Sequence, residues 1–135
     1  MTIQEFIMAV VAAALIMGVL DFLWLGFIAK KLYYGEMGDI LLKKPNMTAA
    51  VLFYVIYVIG AVLLVVAQNW EMGNITQVIW QGALLGFMAY ATYDLTNLAT
   101  LKGFSKKIVV IDLIWGTIIT TAVCVGSFLA ADWLI

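Results

Sequence analysis

Four long runs of apolar residues, separated by short polar stretches, dominate the chain. They cover about residues 3–29, 47–67, 75–98 and 108–133. A helix that crosses a bilayer needs about 20 predominantly apolar residues, so each run is long enough to span. The third run is the least uniform, but it is almost entirely apolar over residues 78–91. The pattern predicts an all-α polytopic membrane protein, with residues 1–135 forming one four-transmembrane-helix bundle.

Composition agrees with this fold class and narrows the chemistry. Hydrophobic residues make up 66% of the chain and charged residues 11%, whereas a soluble domain is about half apolar and a quarter charged. The net charge of −1 gives no reason to expect a nucleic-acid partner. Histidine and arginine are both absent from the sequence, which removes the commonest metal ligand and the usual bidentate phosphate clamp. We therefore expect no bound metal and no cofactor.

The positive charges predict how the bundle is oriented. All seven are lysines, and they fall in two loops: Lys30, Lys31, Lys43 and Lys44 follow the first run, and Lys102, Lys106 and Lys107 follow the third. Because positively charged loops stay in the cytoplasm, we expect both loops inside and both termini outside, in the inner (plasma) membrane. This asymmetry argues against dual insertion. The first loop, residues 30–46, is longer than a connector, and we expect it to lie on the membrane and cover the inner mouth of the bundle.

Three aspartates lie inside the apolar runs, near their lysine-bearing ends. Asp21 precedes Lys30 by nine residues, Asp94 precedes Lys102 by eight, and Asp112 follows Lys107 by five. At 1.5 Å per helical residue, all three fall about 7–13 Å from the lysines. Intramembrane acids are rare and usually mark a polar interior or a pathway. We therefore predict one shared polar site in the inner half of the membrane.

Helical spacing adds neighbours to each aspartate. Tyr90, Asp94 and Asn97 share one face of the third helix, and Gly82 and Gly86 continue that face away from the lysines. A Gly-x-x-x-Gly stripe lets a neighbouring backbone approach closely, so these two glycines are predicted packing residues.

Aromatic residues complete the predicted site. Trp24 and Trp115 each follow an aspartate by three residues, and antiparallel helices could place the two pairs face to face. Tyr54 and Tyr57 share a face of the second helix, and the buried hydroxyl of Tyr57 needs a partner, for which an aspartate is the obvious choice.

Simpler interpretations exist for several of these residues. Asp112 could be the acidic first turn of its helix, favoured by the helix dipole. Asp21 could be a structural acceptor that locks two helices together. Trp24 and Trp115 could be anchors at the membrane interface.

Three strings of sequence carry a family resemblance: residues 90–102 (YATYDLTNLATLK), residues 21–26 (DFLWLG) and residues 112–116 (DLIWG). Together they resemble a family of small bacterial membrane proteins known as domain of unknown function 2177. The resemblance covers essentially the whole chain. It implies a four-span inner-membrane protein and supplies no activity.

Three functions remain open on the sequence. The first is binding or transport of an unknown small molecule or ion through an Asp-lined pocket open to the cytoplasmic side, with Asp94 and Asp21 exchanging protons. Four short helices enclose little volume, so a homodimer is plausible. The second is an enzyme acting on a lipid or isoprenoid, with a divalent cation held by the three carboxylates and Asn97. The third is a non-catalytic assembly partner whose acids serve packing. We favour the first, with the lipid bilayer as the one certain partner.

Overall fold

A computed structural model describes residues 1–134, and within them every regular element is helical. Helix α1 covers Ile3–Leu23 and continues into a π-helical turn, Trp24–Ile28; helix α2 covers Lys30–Met37. Helix α3 covers Met47–Ala61 and continues through a π-helical turn, Val62–Val66, and a 3-10 turn, Ala67–Asn69. Helix α4 covers Ile75–Thr100 and helix α5 covers Lys106–Leu134. The predicted all-α class is confirmed, and α2 is an additional short helix inside the loop of residues 30–46.

The long helices begin at polar capping side chains. Thr2 forms a capping box with Glu5, and the side-chain oxygens of Asn46 and Asn74 accept the amide protons of Ala49 and Gln77. Ser105 caps α5 in the same way, its hydroxyl accepting from the amide of Ile108 at 3.2 Å. Each cap satisfies a backbone donor that has no partner within the first turn. The starting points of the long helices therefore follow from local sequence.

Three helices are long and apolar enough to cross a membrane: Ile3–Ile28, Met47–Asn69 and Lys106–Leu134. These correspond to the first, second and fourth predicted spans. The 26 residues of α4 have a length of about 39 Å, but Gln77, Gln81 and the polar residues near Asp94 lower its apolar character. By length and composition, the described residues thus contain three helices able to cross a membrane.

Helix α5 is the centre of the bundle, with α1 and α4 packed along it. Its buried residues run from Ile108 through Ile119 and Val123 to Ala131. Gly86 of α4 lies so close to α5 that an added Cβ would be 2.6 Å from the Cβ of Thr120, and Gly116 lies directly against the ring of Tyr90. Small residues on both helices therefore allow the α4–α5 contact, as the Gly82/Gly86 stripe predicts.

The second span leaves part of the bundle open. The turns Val62–Asn69 pack against α4, whereas Met47–Ala61 makes few backbone contacts with it. The seven lysines lie together at the end of the bundle opposite to the turns Val62–Asn69, and we call it the lysine end. Towards the lysine end, α3 and α4 therefore diverge, and the gap between them exposes the polar layer described next.

Candidate functional site

Asp21 links three helices. Its buried carboxylate accepts a hydrogen bond from the Tyr54 hydroxyl of α3 on Oδ2 and from Nε1 of Trp115 in α5, at 3.1 Å, on Oδ1. Both oxygens are thus used by donors from neighbouring helices. These bonds support the structural interpretation of Asp21, as an acceptor that fixes α1 against α3 and α5.

The two Asp–Trp pairs do face each other, as their antiparallel register predicts. The indole of Trp24 stacks on that of Trp115. The buried Nε1 of Trp24 has no hydrogen-bond partner among the described residues. Both rings are half-buried, and their stack joins the π-helical turn after α1 to α5.

Asp112 accepts a hydrogen bond from a residue at the lysine end. The hydroxyl of Tyr33 in α2 donates to its Oδ1, and Glu36 of the same helix accepts from the hydroxyl of Ser105 at 2.7 Å. Helix α2 therefore lies over the lysine end, as expected for this loop. Because α5 begins at Lys106, Asp112 lies beyond its first turn. The interpretation of Asp112 as a helix-start residue is wrong.

Asp94 differs from the other two aspartates. Its side chain is 0% exposed, and neither carboxylate oxygen has a hydrogen-bond partner within residues 1–134. Asn97 is half-buried on the same face, but it donates no hydrogen bond to Asp94.

The expected partner of Tyr57 is corrected by the structure. Its hydroxyl lies 2.7 Å from Oγ1 of Thr120, and it is Tyr54 that reaches an aspartate. Tyr54 lies one helical turn nearer the lysine end, which is where Asp21 lies. Tyr57 meets Tyr90 edge to face instead, with ring centroids 6.5 Å apart.

A cavity of about 260 Å³ lies where α3 and α4 diverge. Its walls are Phe53, Tyr57, Ala89, Tyr90 and Tyr93, together with Asp112. Phe53 and Tyr93 are exposed, whereas Asp112 is buried. The cavity therefore opens sideways between α3 and α4, and Asp112 of α5 contributes to its lining. The sequence predicts a pocket that opens at the lysine end, whereas the structure places α2 there, with Tyr33 bonded to Asp112.

The three carboxylates do not form a metal centre. In the part of the chain that the structure describes, no three Asp, Glu, Cys or His side chains come close enough to hold a metal ion. The arrangement gives no support to a divalent cation shared by the three aspartates.

Four residues of the candidate site were not predicted from the sequence. Tyr33 lies in a stretch read only as a surface loop, Thr120 is a common residue in an apolar helix, and Phe53 and Tyr93 look like ordinary lipid-facing aromatics. For these residues the sequence offers one indication, the spacing of Ala89 and Tyr93, which lie one turn apart and so share a face of α4.

Comparison with known proteins agrees with the apolar character of the chain. No curated protein and no solved structure matches the chain significantly. A family model described as "Predicted membrane protein (DUF2177)" matches residues 6–129. Because this match covers most of the sequence, the chain belongs to the DUF2177 family of membrane proteins.

Proposed function

We propose that this protein binds a small organic cation, an amine or quaternary ammonium ion, in the cavity between α3 and α4 and carries it across the membrane. The observation that carries the proposal is the composition of the cavity wall. Three tyrosines and a phenylalanine line the space together with a single acidic residue, Asp112.

Aromatic faces and one carboxylate are the groups that recognise such ligands. The negative face of an aromatic ring attracts a cation, by about 0.5–2 kcal/mol per contact depending on how dry the site is. An aspartate in the lining supplies the opposite charge. A neutral apolar ligand would not pair with the charge of Asp112, and an anion would be repelled by it.

The size of the cavity favours a small ligand. Its volume of about 260 Å³ is below the range of about 300–1,000 Å³ typical of drug-sized ligands. Small tetraalkylammonium ions are suitable probes, because a homologous series varies size while keeping the charge constant.

The proposal includes a four-span topology with both lysine loops in the cytoplasm. Support comes from the length of α4, which exceeds the hydrocarbon thickness of about 30 Å, and from the confinement of the lysines to two loops. The cavity would then lie in the inner half of the inner membrane and open toward lipid.

Cysteine labelling tests this topology. Met72 and Leu101 are exposed at opposite ends of α4, and the native Cys124 is buried. In intact cells, a membrane-impermeant maleimide should label Met72→Cys and leave Leu101→Cys unlabelled. Equal labelling of both would mean that α4 does not cross the membrane.

Direct binding tests the cation site. The protein in lipid nanodiscs should bind tetramethylammonium and tetraethylammonium, measured by calorimetry, more tightly than tetrabutylammonium. Asp112→Asn removes the charge and keeps the shape, so binding should fall at least tenfold. Asp132→Asn, at an exposed position of α5, is the matched control and should bind normally.

Transport is tested in liposomes loaded with buffer of a different pH. Wild-type protein should accelerate uptake of the radiolabelled cation, and Asp112→Asn should not. Binding without uptake would restrict the function to ligand binding. The same preparation gives the oligomeric state, since the homodimer remains a prediction.

A further inference from the structure

Asp94 is the one buried carboxyl group that the cavity and the helix contacts leave without any partner. Its side chain is 0% exposed, and both oxygens lack a hydrogen-bond donor. In the described residues the only ion pair joins the Met1 amino group to Glu71, so Asp94 has no counter-ion either.

An ionised carboxylate is strongly disfavoured in such a position. Burial removes its hydration, and neither a donor nor a positive charge replaces it. A protonated carboxyl group carries no net charge and tolerates burial far better. Of the two forms of Asp94, the neutral acid is the one that fits this arrangement.

The other aspartates do not share this situation. Both oxygens of Asp21 accept hydrogen bonds, from Tyr54 and Trp115, and Asp112 accepts from Tyr33. These donors stabilise a carboxylate. The sequence assigned proton exchange to Asp94 and Asp21 together, whereas the hydrogen bonds distinguish them.

We propose that Asp94 is a proton-binding site, which holds a proton in this closed arrangement and releases it to water when the site opens. The step is a simple protonation, in which the carboxylate gains a proton to become a carboxyl group. Asp94 lies one turn along α4 from Tyr90, a wall of the cavity, so a movement of α4 when the cavity takes up or releases its ligand would change the surroundings of Asp94 as well. Only this coupling to cation movement rests on the proposed function; the proton-binding site itself does not.

Among residues 1–134, no titratable or charged group forms a hydrogen bond or ion pair with Asp94. On α4 itself the groups nearest in sequence are Tyr90, Tyr93 and, beyond its end, Lys102. The segments at the same end of the bundle carry Lys106, Lys107 and Asp112 on α5, Tyr33 and Glu36 on α2, and Tyr57 on α3.

Infrared spectroscopy tests the site without any organic cation. A protonated carboxyl group gives a C=O stretching band that a carboxylate lacks. Wild-type protein at neutral pH should show this band, and labelling aspartate with carbon-13 at its side-chain carboxyl should shift it. An aspartate side chain in water has a pKa of about 3.9 in model peptides, and a carboxyl group in that environment gives no such band at neutral pH.

Substitutions show which carboxyl group gives the C=O band. Asp94→Asn, which is nearly isosteric, should abolish it, and Asp21→Asn should leave it unchanged. Absence of an isotope-sensitive band from the wild type, or its survival in a folded Asp94→Asn variant, would overturn the proposal. Because the labelled wild type needs no substitution, a variant that misfolds does not prevent the test.

The link to transport has a separate readout. If Asp94 carries the exchanged proton, Asp94→Asn should still bind tetraethylammonium but lose its uptake driven by a pH gradient. A variant that transports at the wild-type rate would remove the coupling and leave the cation site intact. The effect of Asp112→Asn on binding tests only the cation site, and the infrared band of Asp94 tests only the proton-binding site. Each proposal can therefore fail without the other.

Discussion

The indole rings of Trp24 and Trp115 stack almost in parallel, with centroids 4.4 Å apart and planes 6° apart. Trp24 begins the π-helical turn that follows α1, and Trp115 lies in the middle of the lysine-end half of α5. Such a stack adds favourable contact beyond the area it buries. It positions Trp115 so that its Nε1 reaches Asp21, one turn before Trp24 on α1.

Replacing Trp115 by phenylalanine removes the hydrogen bond to Asp21 but keeps an aromatic ring in the stack. An aromatic ring remains against Trp24, but Asp21 loses one of its two donors. We expect the free energy of unfolding to fall by about 1 kcal/mol, since hydrogen bonds between helices in membranes contribute modestly. Unfolding by SDS in mixed micelles measures this. Trp133→Phe, at a side chain that is 85% exposed, should have no effect, and an equal loss there would discount the hydrogen bond.

The two donors to Asp21 should be energetically coupled. Tyr54→Phe and Trp115→Phe each leave the carboxylate one donor, whereas the double variant leaves it none. The double variant should therefore lose more stability than the two single losses combined, by about 0.5–3 kcal/mol, the range typical of residues that share one network. Tyr57→Phe combined with Trp115→Phe is the control, because Tyr57 bonds to Thr120 instead. Additive losses for Tyr54 and Trp115 would contradict the shared role of Asp21.

Close packing of α4 on α5 predicts that Gly86 does not tolerate a methyl group. Its added Cβ would lie 2.6 Å from the Cβ of Thr120 and would press on the Gly116 carbonyl. Gly86→Ala should therefore cost about 1–3 kcal/mol, as overpacking does elsewhere. Gly18→Ala meets nothing within 4 Å and should be neutral or slightly stabilising, since alanine favours helix more than glycine. Thermal denaturation in detergent would measure both, and similar melting temperatures for the two variants would contradict the close contact.

Much of the fold could be predicted from sequence because apolar run length and capping residues are local properties. The runs beginning near Ile3, Met47 and Ile75 became helices that begin close to the predicted positions. Helix α2 was not predicted as a helix, because its eight residues, Lys30–Met37, are too short and mixed to show a clear period.

The details of the site depend on relations that periodicity does not contain. Tyr54 and Tyr57 share a face, and only the relative depth of α1 and α3 decides that Tyr54 reaches Asp21. The cavity arises because α3 and α4 diverge, and the direction of a helix axis cannot be read from its own sequence. The Trp24–Trp115 contact could be predicted, since antiparallel register follows from counting residues from the lysine loops.

Tyr33 offers a last test, because its hydroxyl occupies the same carboxylate that the proposed cation needs. Tyr33→Phe removes this competing donor and leaves the ring in place over the lysine end. We expect tetraethylammonium to bind up to about tenfold more tightly, equivalent to about 1.4 kcal/mol, the order of one hydrogen bond to a charged group. Calorimetry in nanodiscs measures the affinity. Tyr34→Phe is the matched control, since its neighbouring ring is exposed and makes no bond to Asp112. Weaker binding in Tyr33→Phe would mean that the hydroxyl holds Asp112 in the orientation that receives the cation, so Tyr33 would support the site instead of closing it.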